Sequence, residues 1–274
     1  MMADVGYMTN AWGLCAGYHV GVPSIKDLFY ISTGSDEDAM RDISGAGFKC
    51  IEMFDGNLSK YRDDPDNFRD MLAKYDLKLI GVYTAANFIF DEIIEEEFYK
   101  MTLAVEFAKM FGAPYINVGG GALRHDGIRD SDFDRLARGL DRFDALARSN
   151  GLVASFHHHL DSLIQTEEEI ARIMKLTGIN LCIDTAHIIA AGGDPVRVAK
   201  TYLDRLTYVH VKDYDDDFQI LGKGNVDFDG FFDVLAPRLD QLQVTVEAND
   251  LPGDLLGLAK HNLTYVEQQF ARVG

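Results

Sequence analysis

The sequence predicts a (β/α)₈ barrel, an α/β fold in which one domain spans residues 1–274. Three observations carry that expectation. Eight short β-branched or apolar runs alternate with eight amphipathic stretches, the pattern of parallel strands joined by crossover helices. The chain has 274 residues, and a barrel of this type takes about 250 as one domain. Polar residues gather at the C-terminal ends of the later runs, where barrel active sites form.

Taken in order, the first run, 4–10, leads into a long stretch, 11–35, without clear periodicity. It carries Trp12, Tyr18, Phe29 and Tyr30. Long loops in compact domains are usually functional lids or interface elements, so this one is expected to cover the site mouth or a subunit contact, with Trp12 near substrate. A helix over 36–46 ends at Gly45-Ala-Gly47, where a left-handed C-cap is needed. Strand 48–53 ends in Glu52-Met-Phe-Asp55, and helix 65–75 returns the chain to strand 77–83. Helix 92–111 stops at Gly112, and strand 114–118 runs into Gly119-Gly-Gly121, read as a tight turn or as room for substrate. After helix 131–149, strand 152–157 ends in Ser155-Phe-His157-His158-His159. Thr166-Glu-Glu-Glu169 is a capping box that opens helix 166–176. Strand 180–184 ends in Cys182-Ile-Asp184-Thr-Ala-His187, and Asp194-Pro195 starts helix 194–203 with an N-cap and a first-turn proline. Strand 206–211 ends in Val209-His210-Val-Lys212-Asp213, and a second aperiodic segment follows to Asp227. Within it Gly222-Lys-Gly224 reads as a turn and Asp215-Asp-Asp217 as a solvated face. Helix 228–237, strand 243–248 and helix 253–271 complete the pattern.

Composition narrows the function. Hydrophobic residues make up 47% and charged residues 26%, a soluble globular mixture. No apolar run reaches the roughly 20 residues that span a bilayer, and MMADVGYMTN has no basic-then-apolar leader. Cys15, Cys50 and Cys182 form no Cys-x-x-Cys pair, which fits a reducing compartment, so a cytoplasmic location is expected. A formal net charge of -18 repels phosphate backbones and argues against a nucleic-acid partner.

Side chains alternate along a strand. His157 and His159 therefore share one face, and His158 takes the other with a structural role. Val244 and Val246 must face the helices, so Thr245, Glu247 and Asn249 point inward. Asp184, after Leu181-Cys-Ile183, sits at the mouth. His157, Asp184, His210 and Glu247 thus converge from four strand ends. Two imidazoles and two carboxylates suit a divalent ion, Mn²⁺ first, with Co²⁺, Mg²⁺ or Zn²⁺ as alternatives. An ion also accounts for buried carboxylates that would otherwise be costly.

These endings resemble the xylose isomerase-like TIM barrel superfamily. The signatures are Ile183-Asp-Thr-Ala-His187, Tyr208-Val-His-Val-Lys-Asp213, Leu221-Gly-Lys-Gly-Asn-Val-Asp-Phe228 and Val246-Glu247, with Gly47-Phe-Lys-Cys-Ile-Glu52 as a looser match. In the ketose 3-epimerase branch the resemblance implies metal ligands Glu, Asp, His and Glu from the fifth to eighth strands. Asp184, His210 and Glu247 match, while His157 stands where that branch has Glu. Phe156-His-His-His159 and Glu247-Ala-Asn-Asp250 are instead similar to inosose dehydratases. Enzymes that eliminate C-linked aglycones from 3-keto-glycosides also resemble this barrel.

All these branches begin by removing the proton α to a metal-bound carbonyl. The expected substrate is a keto-sugar, an inosose or a keto-glycoside, and elimination is favoured because His157 can act as base and then as acid. Glu247 is the second catalytic candidate. His159 and His187 are expected on substrate hydroxyls, and Glu52 and Lys212 at the pocket rim. Isomerisation or 3-epimerisation is the alternative reaction. A nucleic-acid endonuclease on the same fold and a non-catalytic sugar-binding subunit are the readings from other classes. A homo-oligomer or a partner subunit is compatible with the chain.

Overall fold

The computed structural model describes residues 4–13, 30–248 and 253–274. The eight expected runs are all strands. They are β1 Gly6–Met8, β2 Cys50–Phe54, β3 Lys78–Ala85, β4 Tyr115–Gly119, β5 Val153–His157, β6 Asn180–Asp184 and β7 Leu206–Val211, followed by a small hairpin, β8 Asp213–Asp215 with β9 Asp217–Gln219, and then β10 Gln243–Val246. Barrel strands pair in parallel in the closed order β1-β10-β7-β6-β5-β4-β3-β2.

The helices are α1 Asp36–Ala46, α2 Asp55–Ser59, α3 Pro65–Lys74, α4 Ile94–Phe111, α5 Asp130–Ser149, α6 Glu167–Leu176, α7 Thr185–Ala190, α8 Pro195–Tyr202, α9 Phe228–Leu235 and α10 Leu255–Val273. The short α2 and α7 were not expected, because five and six residues are too few to show an amphipathic period. Helix punctuation is as the sequence predicts. Thr166 Oγ1 accepts the Glu169 amide, and Glu169 Oε2 accepts the Thr166 amide in return. Asp194 caps α8 through the amides of Val196 and Arg197. Gly47 and Gly112 take φ of 111° and 76°, the left-handed turn that closes α1 and α4.

Alternation along the strands divides the interior. Ile51, Met53, Ile116, Val118, Leu181, Ile183, Val209, Val211, Val244 and Val246 join one apolar cluster with helix residues such as Phe107, Leu140, Phe232 and Val266. Each buried side chain of that layer contributes about 1.5–3 kcal/mol. The intervening positions, among them Glu52, Asn117, Tyr208, His210 and Thr245, bond to one another inside the barrel. Register sets their levels: Asp184 lies opposite His210, and His210 opposite Thr245.

Two strand ends differ from expectation. Run 4–10 stays extended only to Met8, after which Thr9–Trp12 forms a 3₁₀ turn that brings Asn10 round to Glu247, 3.2 Å away. Glu247 itself falls just past β10. Among the described residues no helix is long and apolar enough to cross a membrane.

Candidate metal centre

Four side chains meet at the C-terminal mouth of the barrel. His157 closes β5, Asp184 closes β6 and caps α7 through the His187 amide, His210 lies in β7 and Glu247 follows β10. One ligand atom from each lies within 4.8 Å of the other three, and all four residues are buried. His157 Nε2 is 3.6 Å from Asp184 Oδ2, and His210 Nδ1 is 2.9 Å from Glu247 Oε2. The second contact lies off the line a hydrogen bond requires. Among the described residues, His157 Nε2, Asp184 Oδ2 and His210 Nδ1 are buried without a hydrogen-bond partner. Buried polar atoms are ordinarily satisfied. Three orphans aimed at one point, all nitrogen or oxygen, fit a divalent cation.

The electrostatics are consistent with that donor set. Burial alone would raise the Glu247 carboxyl, but Lys212 and His210 outweigh it and hold it well below the usual carboxylate range. Asp184 is lowered in the same way, burial being outweighed by Lys212 and His157. Burial pulls His210 down, yet Glu52 and Glu247 on either side raise it to about 10 in the absence of an ion. Cys182 also reaches His157 and His210. Burial pushes its thiol well above the ordinary value, so it remains protonated.

The other expected residues divide into three groups. His159 and His187 form a pair at the mouth, rings 4.1 Å apart. His159 Nδ1 is 2.7 Å from the Leu160 carbonyl, and both His187 nitrogens lack a hydrogen-bond partner among the described residues. Burial lowers His159 to about 4 and, with His159 and Lys212 nearby, holds His187 well below the usual imidazole value. Both are therefore neutral near pH 7. Lys212 and Glu52, expected at the rim, lie inside. Lys212 Nζ donates to Glu247 Oε1 at 3.0 Å and sits 4.1 Å above the Phe218 ring. Glu52 is fully buried beneath His210. Trp12 is not brought to this cluster: its indole N–H donates to Asp42 on α1, and its ring packs edge-on against Tyr7. Tyr18 and Phe29 of the same stretch lie outside the described residues, as do Cys15, Asn249 and Asp250.

His158 faces away from the site, as the alternation predicts, and its Nε2 accepts the Asp184 amide. Gly222-Lys-Gly224 wraps around Asp213, whose carboxylate accepts the amides of Tyr214, Gly222, Gly224 and Val226. Asp215–Asp217 spans the tip of the β8–β9 hairpin. Gly119 leaves room for Tyr83, whose Oη a Cβ there would meet at 2.5 Å, and the Gly121 amide donates to the Gly119 carbonyl at 2.9 Å in a tight turn. Five neighbours were not foreseen. Tyr83 Oη lies 3.5 Å from His157 Nδ1, Asn10 donates to Glu247, and Phe218 covers Lys212. Asn117 and Tyr208 support Glu52. Tyr208 was legible as the inward neighbour of His210 two residues on, and Asn117 as the one polar residue in an apolar strand. Asn10 left no signal, because the 3₁₀ turn alone aims it.

The chain is similar to an inosose dehydratase of Clostridium perfringens, 28% identical over 251 residues that cover 79% of this chain and 83% of that one. Among solved structures, an L-ribulose 3-epimerase aligns with a TM-score of 0.75 at 16% identity, over 99% of this chain and 96% of its own. The probable 3-DHS dehydratase AsbF from Bacillus anthracis aligns at 0.73 and 13% identity, over 96% and 98%. The chain spans 44% of a longer xylose isomerase-like TIM barrel/4-hydroxyphenylpyruvate dioxygenase fusion protein, with a TM-score of 0.77, 16% identity and 99% of this chain covered. At such identities the structures establish the fold alone. The model of the xylose isomerase-like TIM barrel family matches residues 40–269, and this chain belongs to that family.

Proposed function

We propose that this chain is a metal-dependent carbohydrate lyase of the inosose dehydratase type, which enolises a keto-sugar, inosose or keto-glycoside and then eliminates a β-substituent. The observation that carries this reading is the convergence of four buried ligand atoms, three of them without a hydrogen-bond partner among the described residues. His157, Asp184, His210 and Glu247 would hold the ion, with Mn²⁺ the first choice. A divalent ion held there would supply Lewis-acid polarisation of the substrate carbonyl and would stabilise the charge that develops on enolisation.

The surrounding side chains supply the rest. His159 and His187 are neutral and face each other at the mouth, so each can accept or donate a proton to a substrate hydroxyl. Elimination needs a base for the proton α to the carbonyl and an acid for the departing group, which leaves as water from an inosose and as the protonated aglycone from a keto-glycoside. Glu247 serves as the base, or His157 when its Nε2 is off the ion, because an imidazole that gives that lone pair to a metal cannot take up a proton there. A bound His157 therefore has no substrate proton to return, and His159 or His187 protonates the leaving group. Lys212 is held between Glu247, Asp184 and the Phe218 ring, where its ammonium balances the carboxylates.

The test is elemental analysis paired with a substrate screen. Purified protein should carry one equivalent of divalent ion, and both His210→Ala and Glu247→Ala should lose it. The chelated enzyme with Mn²⁺ restored should form an unsaturated product from an inosose or a 3-keto-glycoside. Full metal retention in both variants overturns the site. Epimerised ketohexose with no eliminated product replaces the lyase by a ketose 3-epimerase.

A further inference from the structure

The geometry points to Glu52 as the positioning residue for His210, a carboxylate that fixes which nitrogen of that imidazole faces the ion. This inference rests on the metal reading above. Glu52 Oε2 lies 2.7 Å from His210 Nε2, on the side away from the ligand cluster. An ionised carboxylate only accepts, so Nε2 must carry the proton of this contact. In the neutral ring the lone pair then belongs to Nδ1. Nδ1 is the atom that faces Glu247, and it has no hydrogen-bond partner of its own among the described residues. A carboxylate on the far nitrogen also makes an imidazole a stronger ligand.

Glu52 is itself held in place. Asn117 Nδ2 donates to Oε1 at 2.8 Å, and the Tyr208 hydroxyl donates to Oε2 at 3.0 Å. Tyr208 in turn accepts from Thr245 Oγ1 at 2.8 Å. These residues come from β2, β4, β7 and β10, and all are fully buried. The barrel makes room for them at Gly81, which lies opposite Glu52 in register: a Cβ there would stand 2.5 Å from Tyr208 Oη and 3.3 Å from Glu52 Cγ. A purely structural plug would not need a charge. Burying a carboxylate costs several kcal/mol, and a neutral side chain could accept from the same donors.

Glu52→Gln tests this while keeping the shape. Mn²⁺ affinity is measured by competition with a fluorescent chelator, after circular dichroism confirms that the metal-free variant is folded. The histidine imidazoles are followed by ¹⁵N NMR in the Zn²⁺-loaded, diamagnetic protein. Affinity should fall by about tenfold to 100-fold in the variant. Wild-type His210 should carry its proton on Nε2, far downfield as a charge-assisted hydrogen bond requires, and that signal should move upfield in Glu52→Gln. Unchanged Mn²⁺ affinity in the folded variant, or a wild-type proton on Nδ1, overturns the inference. If the variant does not fold, the wild-type tautomer decides. A wild-type chain that binds no divalent ion fails the metal reading itself, a result distinct from a bound ion that is indifferent to Glu52.

Discussion

Lys212→Met removes one buried charge and keeps most of the side-chain volume. Nζ stands 3.0 Å from Glu247 Oε1 and 4.0 Å from Asp184 Oδ2, and Lys212 is only 1% exposed. At an effective dielectric constant of 20, a unit pair at 4 Å is worth about 4 kcal/mol, and the closer pair about 5. Desolvating the ammonium offsets several kcal/mol of that sum, which leaves a net loss of about 3–5 kcal/mol when one partner of such a cluster is removed. Urea unfolding of the metal-free protein at neutral pH reads this loss directly. A divalent ion replaces part of the missing positive charge beside Glu247 and Asp184 and no longer competes with the ammonium. The gap between variant and wild type should therefore narrow when Mn²⁺ is added. A metal-free loss below about 1 kcal/mol, the size of a surface ion pair, refutes the reasoning, as does a gap that Mn²⁺ leaves unchanged.

Metal-free protein should be most stable slightly below neutrality. Burial lowers His158 to about 3 and His159 to about 4, so as pH falls below the ordinary imidazole value the unfolded chain takes up protons that the folded chain refuses. Glu247, held low, adds to the loss at more acid pH, while Asp55, raised to about 7 by burial, opposes it. His210, raised to about 10, contributes stability below the ordinary imidazole value that is lost as pH climbs towards 10. Urea midpoints of chelated protein across this range should pass through a maximum; a steady rise to alkaline pH contradicts the assignment. His157→Glu should keep the ion and shift residual activity towards epimerisation, read by product chromatography; loss of the ion counts against His157 as a replaceable ligand. Thr166→Ala should cost about 1 kcal/mol in thermal or urea unfolding by removing the α6 cap, with no change in metal content.

Local chemistry was enough to place the eight barrel strands and the longer helices. Short β-branched runs, the Thr166–Glu169 box, the Asp194-Pro195 pair and the glycines at 47 and 112 act within a few residues of themselves, so their outcome is written in adjacent letters. The inward set His157, Asp184, His210 and Glu247 was legible for a related reason. Strand alternation has a period of 2, and barrel sites form where strands end. The sequence by itself thus determined an eight-stranded α/β barrel and the four side chains that meet at its mouth. What lies between those side chains was decided only by closure of the barrel. Glu52 reads as a strand-end acid near the rim, yet closure sets it under His210, 158 positions away in the chain. Lys212 reads as a rim cation, yet it is drawn inward between Glu247 and Asp184, because a buried pair of carboxylates is costly without a counter-charge. Tyr83 reaches His157 only because Gly119 leaves it room, and Asn10 reaches Glu247 only through a 3₁₀ turn. Such contacts depend on register and curvature around a closed sheet. Those follow from how all eight strands pack together, and no single segment of sequence encodes them.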